Sequence, residues 1–239
     1  TVVEAKMAVE LMLLLAPWRP SLVRMESTMR TAMVIAWMFQ TVVEAKTATM
    51  RMLPGENDFI ILAIGKLTKG KGVEDLVAAF LKSKIVSKSK LVLIGTFEQE
   101  EESLSQETIQ TIREHPRVVQ IDWTDHVDHH LALADVLVHP SHEEGFSNVL
   151  LEAAAMQVPI ICSNCIGNAS FIKQQKTGLV FPVGEVTVLK EAMEFAYVKR
   201  DTLASYTDAL FEEVQEKYDR KLMRKLQAAA YRQLLKNQD

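Results

Sequence analysis

From Asn57 onward, short apolar runs rich in Val and Ile alternate with longer stretches of helical period. This alternation narrows the fold more than any other feature of the chain. A run that is apolar on both faces needs cover on both sides, and a helix returning between two parallel strands supplies it. The pattern predicts strands over 59–65, 90–95, 118–121, 136–139, 159–162 and 178–181. Between them it predicts helices over 73–83, 103–114, 126–134 and 147–156, with a short one over 169–174. The expected fold class is α/β, a Rossmann-like parallel sheet flanked by helices. After Phe181 the chain reads as helical to its end, over 186–197, 201–218 and 220–236. Val214, Tyr218, Leu222 and Leu226 recur at intervals of four, so one face of these last segments is expected to pack on the sheet.

Residues 1–54 differ from all that follows: they contain no glycine and no aspartate and carry eight of the eleven methionines. A shift that sharp marks a boundary, so the chain divides into a Met-rich extension over 1–54 and a sheet domain over 57–239. Apolar runs over 9–16 and 32–43 flank Pro17-Trp18-Arg19-Pro20, which predicts two helices and a turn. Neither run reaches the roughly 20 apolar residues of a transmembrane helix. Glu10 lies inside the first run and no basic start precedes it, which argues against a signal peptide. Thr-Val-Val-Glu-Ala-Lys occurs at 1–6 and again at 41–46, but a solenoid needs about three units or more, and we have no physical account of the repeat. The chain begins with Thr1 rather than methionine and reads as a fragment or a processed product.

The net charge of −4 argues against a protein that binds nucleic acid by neutralising phosphates. Cys162 and Cys165 are too few for a disulfide framework, and no second pair completes a zinc site. They read as small residues after a strand, in a reducing, cytoplasmic setting.

Two stretches carry the chemistry. Gly65-Lys66-Leu67-Thr68-Lys69-Gly70-Lys71-Gly72 follows the first strand and precedes a helix. Ligands of an open parallel sheet bind beyond the carboxyl ends of its strands, so these lysines stand where an anion would arrive. The spacing is neither that of a P-loop nor that of the dinucleotide fingerprint. The second stretch runs from Pro140 through Ser141, His142, Glu143, Glu144, Gly145, Phe146, Ser147 and Asn148 to Glu152. Ser147 is the expected N-cap of the helix over 147–156, which would aim the N–H groups of about 146–149 at the mouth of the sheet, where a phosphate is favoured. Gly145 would let backbone approach it closely. Glu144 before the helix and Glu152 inside it would flank that phosphate. A carboxylate that accepts from two neighbouring hydroxyls suits sugars and ribose, while the structural alternative makes Glu144 a turn residue and Glu152 an exposed helix residue. His126, His129, His130, His139 and His142 raise the question of a metal, but no Asp-x-Asp pair accompanies them and none is expected.

In this order the motifs resemble a known family. Gly-Lys-Leu-x-x-x-Lys-Gly at 65–72, Leu-Val-Leu-Ile-Gly at 91–95, Ala-Asp-Val-Leu-Val-His-Pro-Ser at 134–141 and Glu-Gly-Phe-Ser-Asn-Val-Leu-Leu-Glu-Ala at 144–153 are similar to the C-terminal, nucleotide-sugar-binding half of retaining glycosyltransferases of family 4, which are built from two Rossmann-like domains. The resemblance spans about 59–235 and implies one half of a GT-B fold and a hexosyltransferase type of activity. It implies that Lys71 holds the donor diphosphate, with Lys66 where the family usually has an arginine, and that Glu144 holds the donor sugar and Glu152 the ribose. Gly65 belongs to the same donor-binding loop, and Gly145, Phe146, Ser147 and Asn148 would offer backbone N–H groups to the diphosphate. The segment 122–127 corresponds to the loop beside the base, where Asp122 departs from a small residue, and Gln157 replaces a glycine after the helix.

The expected catalytic residues are Glu144, Lys71 and Lys66, with a nucleotide-diphosphate sugar as donor and no cofactor or divalent metal. The acceptor, a glycan or lipid, is not named by the residues. In the family a complete acceptor-binding domain precedes this half, and residues 1–54 do not match it, so a longer enzyme or a partner chain is expected to supply that wall. Two other readings stay open, a non-catalytic regulatory or assembly subunit and half of a nucleotide-sugar epimerase. The expected location is cytoplasmic, with the cytoplasmic face of a membrane as the alternative, and with no transmembrane segment and no nucleic-acid partner.

Overall fold

The structure is a computed structural model that describes residues 58–98 and 103–218, together with positions 224, 228, 229, 231 and 232. The extension over 1–54, its repeated hexapeptide, Leu222, Leu226 and most of the helix expected over 220–236 lie outside the described residues.

Six strands form one sheet: β1 (Phe59–Ile64), β2 (Ser89–Ile94), β3 (Val118–Ile121), β4 (Val136–His139), β5 (Ile160–Ser163) and β6 (Leu179–Phe181). All neighbours are parallel, in the order β3-β2-β1-β4-β5-β6. The register sets Ile61 opposite both Leu91 and Val136. Because the chain builds outward from β1 to β3 and then returns to lay β4 against the other side of β1, the loops after β1 and β4 leave in opposite directions. Between them lies the crevice in which sheets of this kind bind ligands.

Among the described residues, α1 (Val73–Lys82), α2 (Gln106–Glu114), α3 (Val127–Leu133), α4 (Asn148–Ala155) and α5 (Ile166–Phe171) connect the strands, and α6 (Val186–Val198) and α7 (Arg200–Lys217) follow β6. The strands divide their side chains between two cores. Ile61, Ala63, Leu91, Leu93, Val136 and Val138 pack with Leu76 and Phe80 of α1 and with Leu189 and Met193 of α6. Leu62, Val92, Ile94 and Leu137 point the other way, to Leu131 of α3, Leu150 and Ala153 of α4, and Leu210 of α7. The period of two along each strand therefore feeds both helix layers. Val73, Leu76, Val77 and Phe80 fall on one face of α1 and are all buried, which fixes how that helix lies on the sheet.

α7 passes from one layer to the other, since its Leu203 joins the first core while Leu210 and Val214 join the second. Its start is held by Arg200, which bonds Asp135 Oδ1 at 3.4 Å and lies 5.0 Å from the centre of the Phe59 ring.

Several boundaries differ from expectation for local reasons. α2 starts at Gln106 rather than 103, because Ser105 is the N-cap and its Oγ accepts from the Thr108 N–H at 3.2 Å. The short helix expected over 169–174 runs instead over Ile166–Phe171: extended backbone at Cys165 precedes it, and Gln174 leaves to pair with Gly178 in a bridge. Gln157 stands at φ 54°, the left-handed position where a glycine is ordinarily found, and its amide donates to Asp208 Oδ1 on α7 at 3.3 Å. Both cysteines are free and buried, and burial pushes the Cys162 thiol well above its ordinary range. Among the described residues no helix is long and apolar enough to cross a membrane.

Candidate functional site

The loops after β1 and β4 are joined backbone to backbone. Gly72 precedes α1 at φ 68°, and a Cβ added there would lie 2.1 Å from the Pro140 carbonyl oxygen. The His142 N–H donates to the Gly70 carbonyl at 2.8 Å, and His142 Nε2 pairs with Asp75 Oδ2 of α1 at 2.7 Å.

A three-residue polar centre stands where these loops meet. Lys71 Nζ donates to Glu144 Oε2 at 2.8 Å, and His139 Nε2 lies 3.2 Å from the same oxygen. An ionised carboxylate only accepts, so Nε2 carries the imidazole proton. Burial would raise the Glu144 carboxyl, but the Lys71 hydrogen bond and charge, with His139 adding to them, hold it below its ordinary value of 4.5. Burial lowers His139 from its ordinary 6.5, against the pull of the Glu144 charge and with a smaller push from Lys71, so the ring stays neutral near neutral pH.

These shifts set an acid limit. The fold takes up a proton at His139 less readily than the unfolded chain does, so the contribution of His139 to stability is intact above about pH 6.5 and is lost as pH falls through the folded value. Glu144 adds a second loss below its ordinary 4.5. The melting temperature is expected to fall on acidification from pH 7 to 5, and His139→Gln should flatten that fall. A variant whose profile superimposes on the parent would exclude His139 as the source.

Other elements support this centre from beneath. The Gly167 N–H on the first turn of α5 donates to the Glu144 carbonyl at 3.0 Å, and a Cβ on Gly167 would lie 2.3 Å from that same oxygen. The Ser163 hydroxyl donates to the Ser141 carbonyl, and Asn168 Nδ2 donates to Ser163 Oγ at 3.0 Å, all three residues being buried. Ser147 is the N-cap of α4, its Oγ accepting from the Leu150 N–H at 3.4 Å. The N–H groups of Asn148 and Val149 precede the first helical bond of α4, which runs from the Leu151 N–H to the Ser147 carbonyl at 3.3 Å. Above Gly145 there is open space, with no atom within 4 Å of where a Cβ would stand. Phe146, part exposed, lies 5.8 Å from the Tyr218 ring and 5.7 Å from Phe171.

The structure thus joins Lys71 to Glu144 directly and sets Gly145, Phe146, Ser147 and Asn148 in the adjoining turn and helix start. Gly65 follows β1, its N–H donating to the Ile94 carbonyl at 2.9 Å. Lys66 Nζ, on the same loop as Lys71, pairs with Glu98 Oε1 at 3.0 Å. Glu152 stands within α4 as an exposed helix residue, where the desolvation it does meet and then the Asp128 charge on α3 raise its carboxyl above the ordinary value. In the loop expected beside the base, Gln120 Nε2 donates to Asp122 Oδ1 at 3.1 Å and Trp123 is 69% exposed.

Sequence reasoning did not find His139 as the partner of Glu144, nor the support from Gly167, Asn168 and Ser163. The available signal is a histidine closing an otherwise apolar, buried run. Apart from this centre, His126, Asp128 and His129 each bring one potential ligand atom to within 4.8 Å of the others.

A parallel sheet wound in this order, with a lysine and a carboxylate meeting across the crevice beyond its strand ends, defines a Rossmann-like half-domain as a class. The model of the family described as Glycosyl transferases group 1 matches residues 49–209, and the chain belongs to that family. It is 32% identical over 141 residues to the capsular polysaccharide biosynthesis glycosyltransferase CapM of Staphylococcus aureus, covering 58% of this chain and 36% of CapM. Its fold superposes on Anabaena HepE, solved in complex with UDP and glucose, with a TM-score of 0.72 at 17% identity, over 79% of this chain and 52% of HepE. It also superposes on the C-terminal domain of the Francisella tularensis group 1 glycosyl transferase LpcC, with a TM-score of 0.64 at 18% identity, over 76% of this chain and 92% of that domain. The chain spans about a third of the length of the curated relatives it matches.

Proposed function

We propose that this domain is the donor-binding half of a retaining glycosyltransferase that takes a nucleoside-diphosphate sugar, and that transfer requires an acceptor-binding domain beyond it. The observation that carries the reading is the Lys71–Glu144 contact, 2.8 Å long, at the switch point between β1 and β4. Breaking the bond between the anomeric carbon and the diphosphate oxygen leaves the electron pair on the diphosphate. Lys71, Lys66 and the free N–H groups at the start of α4 would stabilise that charge, with no divalent ion called for. The acceptor oxygen would bond to the anomeric carbon on the face the diphosphate leaves, and its proton would pass to a departing phosphate oxygen. Glu152 would accept from the ribose hydroxyls.

Glu144 suits a hydroxyl clamp better than a nucleophile or base. Lys71 and His139 already occupy one of its oxygens and depress its basicity, which leaves Oε1 for donor hydroxyls. The exposed Trp123, Phe146 and Ile166 follow β3, β4 and β5, beyond the carboxyl ends of these parallel strands, and would suit an apposed second wall. A cytoplasmic location, at a membrane face where the acceptor is a lipid, belongs to the same reading.

HepE was captured with UDP and glucose, which makes a uridine nucleotide the first ligand to titrate. Calorimetry with UDP, GDP and ADP should show binding of at least one; none with any of them would sink the reading and favour a non-catalytic assembly module. Conversion of the donor sugar without an acceptor would favour an epimerase instead. Glu144→Gln separates the roles. It is expected to leave nucleoside-diphosphate binding nearly unchanged while weakening the matching nucleotide sugar about tenfold, the worth of a hydrogen bond to a charged group. Equal weakening of both ligands would remove Glu144 from the sugar.

A further inference from the structure

We propose that His126, Asp128 and His129 form a binding site for a borderline transition-metal cation of the Zn2+, Ni2+ and Cu2+ class, where the end of the segment 122–127 runs into α3. The site goes beyond the donor reading and does not depend on it. No Asp-x-Asp pair accompanies the histidines, and that absence bears on an oxygen-bound ion at a diphosphate; it does not bear on imidazole ligation at another position.

Three observations carry the proposal. The first is geometric: one ligand atom from each of the three side chains lies within 4.8 Å of the others. Donors around a tetrahedral ion with bonds of about 2.1 Å stand about 3.4 Å apart, so a closure of little more than 1 Å suffices. These side chains have room for it, since His126 is exposed and Asp128 and His129 are only part buried. The second is proximity. The His126 and His129 rings lie nearly parallel, 11° apart with centroids 4.9 Å from each other. Their backbones are tied, His129 N–H to the His126 carbonyl at 3.2 Å and His126 N–H to Thr124 Oγ1 at 3.1 Å. Both rings therefore start on the same side of the chain, and a tilt of each would aim its in-plane lone pair at a shared ion.

The third is the donor set. Two imidazoles and one carboxylate suit Zn2+, Ni2+ or Cu2+ and do not suit Mg2+ or Ca2+, which take oxygen. Three protein ligands leave a fourth position open to water or to an incoming group. The chain has six histidines, and the other three outside this neighbourhood are engaged: His115 Nδ1 accepts from the Arg117 N–H, His139 bonds Glu144, and His142 bonds Asp75. His130 lies next in sequence to the cluster, and both cysteines are buried. Among the described residues, His126, Asp128 and His129 are the cluster of His, Cys, Asp and Glu whose ligand atoms come together. Because His126 belongs to the loop and His129 to α3, a bound ion would tether the one to the other.

The test is a titration of the full, tag-free chain with Zn2+ alone, read by calorimetry and by competition with a chromophoric chelator. One ion per chain is expected. His126→Ala and His129→Ala should each weaken it about tenfold or more, since even an outer partner of a metal ligand is worth about that much. Asp128→Asn should weaken it less, while His130→Ala and His142→Ala leave it unchanged. Circular dichroism and melting of each variant without metal keep a folding defect separate from a lost ligand. Zn2+ binding that persists in the His126→Ala/His129→Ala double variant, no binding tighter than millimolar, or Mg2+ binding as tight as Zn2+ would each overturn the proposal. No nucleotide is present in the titration, so its failure and the failure of the donor reading are distinguishable.

Discussion

Lys71→Ala is expected to weaken binding of the preferred nucleoside diphosphate about ten- to a hundredfold, from the loss of one charge-assisted contact worth about 1.5–3 kcal/mol. The same change should cost little folding stability. Lys71 is part exposed, at 34%, and an ion pair so placed contributes about 1 kcal/mol at most. Glu144 would keep its His139 partner at 3.2 Å. With the larger of the opposing influences gone, burial should move its carboxyl upward, which a titration followed by NMR would register. Lys71→Arg should retain part of the affinity, because the charge survives while its shape changes from a point to a planar fork. The effect should also shrink as salt rises, since the ligand is an anion held in part by charge. Affinity for the diphosphate unchanged in Lys71→Ala would take the lysine out of the donor site.

Gly72→Ala is expected to be the most destabilising single-methyl substitution in the site loops, by about 2–5 kcal/mol. The left-handed backbone costs an alanine about 1 kcal/mol, and overpacking a closed contact typically adds about 1–3 kcal/mol or more. Here the contact is a backbone oxygen, Pro140 O, 2.1 Å from the new Cβ, which no rotamer change can relieve. The two loops would have to part, carrying Lys71 away from Glu144. Out of a total stability of about 5–15 kcal/mol that is a large share. Denaturant melts should show it, and donor affinity should fall along with stability. A loss below about 1 kcal/mol would mean that the loops are free to separate and that their contact does not hold the site together.

The contrast between these two substitutions shows what could be read from the chain. Lys71 and Glu144 were each visible as chemistry at the end of an apolar run. Their contact was not, because it depends on β4 returning to lie against β1 rather than beside β3, a choice that no local pattern encodes. His139 shows the same limit. A histidine ending the buried strand Val136–His139 reads as a metal ligand until Glu144 is seen across the turn, and only burial together with that carboxylate sets its charge. The shifted helix Ile166–Phe171 has a different cause. Its expected position over 169–174 followed side-chain period, whereas it starts at Ile166 and its first turn places the Gly167 N–H on the Glu144 carbonyl, a long-range contact that period does not encode.

By itself, then, the sequence determined the alternating layers, because a period of two in the strands and of about 3.6 in the helices leaves few ways to bury both faces of such a sheet. It also determined which residue types stand at the strand ends. The tertiary structure alone decided which of those ends meet. Contacts such as Lys71 with Glu144, Gly72 with Pro140 and Gly167 with Glu144 join residues far apart in the chain, through the strand order and through backbone approaches that a single Cβ would prevent.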